Sequence, residues 1–477
     1  MGGRVQPRRI HARHRPLDVD PALLRSRVGR MPCPALLGGP GSAGTPGRWN
    51  ILAARPRVVI ESADGLGYHL AGDPAGARTG PDALAGLGEL LRRFRLDRPD
   101  NGLDPGLPFQ GGLIGFLAYD LGPTIEPVPR RLPPGAVTPA LRFGLYDTFV
   151  LVDREHASVT LWAVDLAGEG DAALLGRLDA WADQLRRPAL AAAGCVIALD
   201  TPARPDLTAD QYRAVIARAR EYIAAGDVFQ VNLAQRFVAS GRVDPLALDG
   251  QLQAASPAPY SAFLAWGDCA ILSASPELFY ATEGRRIITR PIKGTRPREV
   301  DPVADAAQAR DLLASPKDAA ELTMIVDLER NDLGRVCEFG SVRVAEARAL
   351  ESHPNVHHTV AAIEGLLRAE VGPIDVVRAL FPGGSITGAP KIRAMQIIDE
   401  LEPCRRGIYT GSIGYWSAND RSAFNIAIRT AVVAGNQISY HVGGGIVADS
   451  DPESEYRETL HKGRALFELL GGREAGA

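Results

Sequence analysis

Two short stretches of the chain pair carboxylates at a spacing suited to a hard metal ion. Ser315-Pro316 followed by KDAAELTMIVDLERND reads as a helix opening, with serine as N-cap and proline at the first helical position. Asp318 and Glu321 then share one face of the helix. Asp451-Pro452 opens a second helix, ESEYRETLHKGRALFELL, which gives Glu455 and Glu458 the same spacing. Two such helices can supply the oxygen ligands that Mg2+ requires, with water or substrate oxygens completing the octahedron. The plainer alternative is that acids in a first helical turn complement the macrodipole and face solvent. Glu458 is also spaced for an ion pair with Lys462.

A lysine and an acid stand apart from these pairs. The run IITRPIKGTRPRE carries a strand to Lys293 and turns at Gly294. Alternation would send Lys293 to the face opposite Ile292 and hold its amine over a cleft. A lysine becomes nucleophilic when desolvation or nearby positive charge lowers its pKa, and Arg290, Arg296 and Arg298 are neighbours able to do so. An exposed lysine beside a turn is the commoner fate. Glu277, in SASPELF, ends a strand, where burial would keep a carboxylic acid protonated and able to protonate a leaving group. Taken alone, such a residue is more often a cap or a surface acid.

Two glycine-rich loops look like phosphate sites and fail on detail. PGGSITGAPK has P-loop glycine spacing, but Ala389 stands where the lysine should follow. GGGIVA, 443–448, is followed by Asp449, Asp451 and Glu453, which would repel a pyrophosphate. Both loops let backbone N–H groups approach a ligand, which suits a substrate carboxylate.

The elements that must position these groups follow from the rest of the chain. At 477 residues, with 53 Lys and Arg against 56 Asp and Glu, it is long enough for a large two-lobed enzyme and carries no charge excess that would favour nucleic acid or an anionic membrane. The five cysteines are scattered with no C-x-x-C pair, which argues against disulfides and zinc and for a reducing, cytoplasmic setting. Residues 1–30 read as an Arg-rich disordered leader without the apolar run of a secretion signal, and no stretch approaches a membrane span. An N-terminal lobe is expected over 31–198, a two-proline linker over 200–207, and a catalytic region over 208–470, opened by a helix that Thr208 caps.

The runs DVFQVNLAQRF, ILSASPELF, TRPIKGTRPR, IVDLERNDLGRV, FPGGSITGAPKIRAMQIIDELEP, GIYTGSIGY and HVGGGIVADSDPESEYRETLHK resemble the chorismate-binding enzyme family, which includes anthranilate, aminodeoxychorismate, isochorismate and salicylate synthases. The resemblance implies an α+β fold: a large two-lobed sandwich of orthogonally packed antiparallel sheets with outer helices and an active site in the cleft between lobes. It implies Glu321 and Glu458 as principal Mg2+ ligands, with Glu455 and Asp318 nearby or bound through water. Relatives often carry Glu where this chain has Asp318.

On the same pattern Arg429 and Tyr409 hold the enolpyruvyl carboxylate, helped by the backbone of Gly443, Gly444 and Gly445. Ser385, Lys462 and Thr295 match further substrate-side positions, and His358 stands beside the enolpyruvyl group. Lysine bases that activate water in isochorismate- and salicylate-forming members are replaced by Gln230, and an amide cannot take that proton. Lys293, in PIKGT where anthranilate synthases usually read PIAGT, implies amination at C4, with Glu277 as acid. Anthranilate synthesis is the alternative, and a non-catalytic chorismate-binding homologue a further one. The ammonia source implied is a separate glutamine amidotransferase subunit. Leu36-Leu37-Gly38-Gly39 lacks the acidic and serine side chains of tryptophan-inhibited relatives, so tryptophan control is not expected.

Overall fold

The computed structural model describes residues 11–40, 46–72, 77–94, 103–132, 138–187 and 197–472. Among them, two twelve-stranded antiparallel sheets form the body of the protein, and each takes strands from both halves of the chain. The first sheet runs from Ala12–Pro16 at one edge, through Thr148–Asp153, Tyr260–Trp266 and Gln437–Ile446, to Gln230–Val243 and the edge strand Ile197–Pro205. The second runs from Ile292–Pro297 through Val356–Leu366, Leu278–Glu283 and Ser412–Ser417 to Arg78–Gly80.

Strand alternation explains how a sheet can be buried on both faces. In TFVLVD, Phe149 and Leu151 point into the core shared with the second sheet, where Ile60, Phe143, Ile413 and Phe424 meet them. Val150 and Val152 point the other way, against Leu24, Leu178 and Trp181 of the helices Pro21–Gly29 and Asp171–Arg186. The same outer layer holds the helix Pro452–Leu469 through Leu466.

The helix openings read from the sequence are present. The Ser315 hydroxyl accepts from the Asp318 N–H at 3.2 Å, the Asp451 carboxylate accepts from Ser454 at 2.9 Å, and Thr208 with Gln211 forms a reciprocal capping box. Two expectations need correction. The leader is ordered from Ala12 onward: Ala12–Pro16 pairs with Ser158–Val164, and Arg13 and Arg15 bind Asp171 and Asp179, so the arginines serve ion pairs rather than a disordered tail. Residues 1–10 lie outside the described part. The proline-rich stretch expected as a linker is the edge strand Ile197–Pro205, paired irregularly with Gln230–Val243. An edge strand tolerates prolines because one side of it needs no ladder donors. Among the described residues no helix is long and apolar enough to cross a membrane.

Phe149 is fully buried and meets Phe109 edge-on at 4.8 Å. Phe149→Ala is expected to cost about 3–5 kcal/mol in chemical denaturation. The exposed Leu175→Ala should stay within about 0.5 kcal/mol of the parent.

Candidate active site

Lys293 lies on the strand Ile292–Pro297, which pairs with Val356–Leu366 and breaks register between Lys293 and Thr295. The break is Gly294, at φ +76°, where a side chain would lie 2.7 Å from Leu312 and 3.0 Å from Asp318. The missing Cβ lets the lysine strand press against the helix Pro316–Gly334. The Lys293 amine donates to the Ser385 carbonyl at 3.2 Å. Burial pushes its pKa down, Glu321 and Glu277 push it back up, and Lys462 adds to the lowering. The three arginines expected to do this are engaged elsewhere: Arg290 with Glu351, Arg296 with Asp311 and Asp318, and Arg298 with Asp305.

Glu277 is buried at the junction between Cys269–Ser275 and Leu278–Glu283. Its Oε1 accepts from the Ser385 hydroxyl at 2.6 Å. Burial raises its pKa, which the Ser385 bond and the Lys293 charge partly offset. Ser385 therefore joins the acid to the amine, through its hydroxyl on one side and its carbonyl on the other.

Further buried residues offer positive charge and hydrogen-bonding groups that suit an anion. Arg429 holds a left-handed backbone at φ +49°, and among the described residues its guanidinium has no ion-pair partner. Burial alone lowers its pKa. His358 is buried, with Nδ1 at 2.9 Å from the Thr295 hydroxyl and Nε2 without a partner. Burial, Arg429 and His353 bring it down to about 3, so the ring is neutral at physiological pH. Tyr409 stacks on His441 at 5.3 Å.

The three glycines make room for side chains. A Cβ on Gly443 would come within 2.9 Å of the Tyr409 hydroxyl, on Gly444 within 3.2 Å of Glu455, and on Gly445 within 2.8 Å of the Gln230 amide. Gln230 is fully buried, and neither amide atom has a partner among the described residues. Lys462 binds Glu458 at 2.7 Å and the Gly443 carbonyl at 3.3 Å.

The acidic pairs come together as their spacing implied. Side-chain exposure falls from 50% at Glu458 to 17% at Glu321, 15% at Asp318 and 6% at Glu455, so three of the four face away from bulk water. Burial raises the pKa of Glu321 and Glu455, while Lys462 lowers that of Glu458. Asp318 is turned toward Arg296 at 3.4 Å, and the Lys317 ammonium lies 3.9 Å from both Glu321 and Glu455. Hard oxygens from two helices that already draw an ammonium between them suit Mg2+.

No three of these carboxylates bring oxygens within 4.8 Å of one another. At Mg2+–oxygen distances of about 2.1 Å, two carboxylates at most would bind the ion directly, with water or substrate oxygens as the remaining ligands. Among the described residues the one group that does meet the 4.8 Å limit is Asp153, Glu155 and His156, and Arg48 already pairs with both of its acids.

Several supporting residues escaped the sequence reading. Arg406 is fully buried, binds Glu402 through Nε and Nη2, and donates to the carbonyls of Asn232 at 2.7 Å and Ile386 at 3.2 Å. Glu402 also accepts from the Ala234 N–H at 2.9 Å. This one pair fixes the Gln230 strand, the Ser385 turn and, through a cation–π contact of 5.7 Å, Tyr409. Glu329 is buried against the Thr289 hydroxyl and pushed up to about 8 by burial, and Lys391 binds Asp332 at 2.6 Å. The available signal was charge inside otherwise apolar runs, RRG after ELEP and ERND after IVDL.

Comparison with known proteins agrees with this geometry. The model of the chorismate binding enzyme family matches residues 65–468, and the chain belongs to that family. It is 40% identical over 446 residues to aminodeoxychorismate synthase component 1 of Escherichia coli (strain K12), covering 93% of this chain and 95% of the relative. It is 42% identical over 412 residues to anthranilate synthase component 1 of Streptomyces coelicolor, covering 84% and 79%. The solved anthranilate synthase component I of Streptococcus pneumoniae superposes with a TM-score of 0.79 at 32% identity, covering 88% of this chain and 92% of that one. The expected α+β sandwich is the fold observed.

Replacing Arg406 by alanine leaves Glu402 buried and unpaired, and is expected to cost about 3–5 kcal/mol by denaturation. Arg406→Lys keeps the charge but lacks the donors that reach Ile386 and Asn232 together, and should fall between the two.

Proposed function

We propose that this chain is the chorismate-aminating component of an aminodeoxychorismate synthase, which forms 4-amino-4-deoxychorismate from chorismate and ammonia. The observation that carries the reading is the junction at Ser385, which holds a desolvated amine and a raised-pKa acid on either side of one residue. In this reading Arg429, Tyr409 and the Gly443–Gly445 backbone hold the enolpyruvyl carboxylate, with Thr295, Gln230 and Lys462 lining the substrate. Mg2+ would be held by Glu321 and Glu458, with Glu455 and Asp318 through water, and would supply positive charge for the ring carboxylate.

Glu277 gives its proton to the C4 hydroxyl, which leaves as water while the neutral Lys293 amine attacks C2 across the diene. The new C2–N bond leaves a secondary amine after one proton is lost. The proton shed at C2 returns to Glu277, which gives it to the lysine nitrogen as ammonia attacks C4 and the C2–N bond breaks; the new C4 ammonium then loses a proton and the lysine amine is restored. His358, neutral with a free Nε2, is not needed for this sequence.

Ammonia would come from a separate glutamine amidotransferase subunit, a reading supported by relatives named as component 1. A cytoplasmic setting is proposed on the free cysteines Cys33, Cys269, Cys337 and Cys404, which suit a reducing compartment. The 42% identity to an anthranilate synthase component 1 favours a second reading, amination at C2 with pyruvate loss, in which His358 would act.

Chromatography of products from chorismate, ammonium and Mg2+ separates the two: aminodeoxychorismate is expected, and anthranilate would overturn the first reading. Lys293→Ala should lower chorismate consumption by at least about 100-fold. Intact-mass analysis without ammonia should show an adduct that this variant lacks. The pH profile offers a finer check. The Ser385 hydroxyl stabilises ionised Glu277, so its loss raises that pKa further. In Ser385→Ala the alkaline limb of kcat/KM, where Glu277 loses its proton, should move to higher pH.

A further inference from the structure

Lys317 is the second residue of the helix Pro316–Gly334, where a positive side chain opposes the helix macrodipole. Its ammonium is instead balanced across the cleft, 3.9 Å from Glu321 of its own helix and 3.9 Å from Glu455 of the helix Pro452–Leu469. It acts electrostatically on Glu458 as well, so one cation touches the field of carboxylates from both acidic helices. Its stem is long and its side chain 55% exposed, so it can leave the carboxylates for solvent without disturbing the core.

We propose that the Lys317 ammonium is an internal competitor of the divalent cation: it lies between Glu321 and Glu455 until Mg2+, which Glu321 and Glu458 would hold with Glu455 reached through water, displaces it. The inference rests on the metal assignment of the proposed function, and adds that this chain sets its own metal affinity downward. A monovalent charge on a flexible stem keeps the two acidic helices from repelling each other, and a divalent ion displaces it because two charges act on the same carboxylate cluster. Mg2+ loading should then tighten when the side-chain charge is removed.

The test is calorimetric titration of Mg2+ into the full chain and its Lys317→Met and Lys317→Arg variants, without substrate. Lys317→Met should bind Mg2+ about three- to tenfold tighter, given a partly screened repulsion, and Lys317→Arg should stay within about twofold of the parent. Thermal melts give a second readout. In chelator Lys317→Met should melt below the parent, and saturating Mg2+ should raise its Tm by more than it raises the parent's. Equal or weaker Mg2+ binding by Lys317→Met overturns the proposal. So does an unchanged Mg2+ affinity with a raised KM for chorismate, which would make Lys317 a substrate contact. A parent chain that binds no Mg2+ at millimolar concentration defeats the metal assignment itself, a result distinct from the other two.

Discussion

A nucleophilic amine inside a protein has to be kept from becoming an ammonium, and on the proposed reading Lys293 works under that constraint. Lys293 lies among carboxylates that would each favour its charged form. Its direct hydrogen bond goes to a neutral carbonyl, and the acids that act on it have other partners: Glu321 lies 3.9 Å from Lys317, Glu458 2.7 Å from Lys462, and Glu277 accepts from Ser385. Burial can then dominate over attraction. A lysine ion-paired directly to any one of these acids would be held protonated and inert.

The scaffold enforces this by bringing sequence-distant segments to one place. The amine comes from the end of the second sheet, the glycine strand and Gln230 from the first, and the acids from two helices that lie against them. The buried Arg406–Glu402 pair ties the turn at Ser385 to the Gln230 strand from beneath. Charge is placed there because five guanidinium donors can satisfy several backbone carbonyls at once, which no apolar residue could do.

Local features were the ones legible in the sequence. The spacing of Asp318 with Glu321 and of Glu455 with Glu458 follows from helix geometry, and the caps that start both helices are short-range signals. The convergence of Arg429, Tyr409, His358 and the three glycines is tertiary, and only resemblance to relatives brought them forward. The reading of Arg290, Arg296 and Arg298 as depressors of the lysine pKa failed because sequence proximity does not reveal the acids that neutralise them across strands. Proline content misled at Ile197–Pro205 because composition cannot distinguish a linker from a sheet edge. Arg406 was passed over because a charged residue is by default assigned to the surface.

Gly294 has a wider consequence. The bare main chain of the lysine strand packs there directly on the side chains of Leu312 and Asp318, so the spacing between the amine and the acid helix depends on position 294 carrying no side chain of its own. On the proposed reading, an engineer wishing to retarget the amine to another ring carbon could not use position 294 as a spacer, since any side chain there would collide with Leu312 and Asp318 and strain a positive φ.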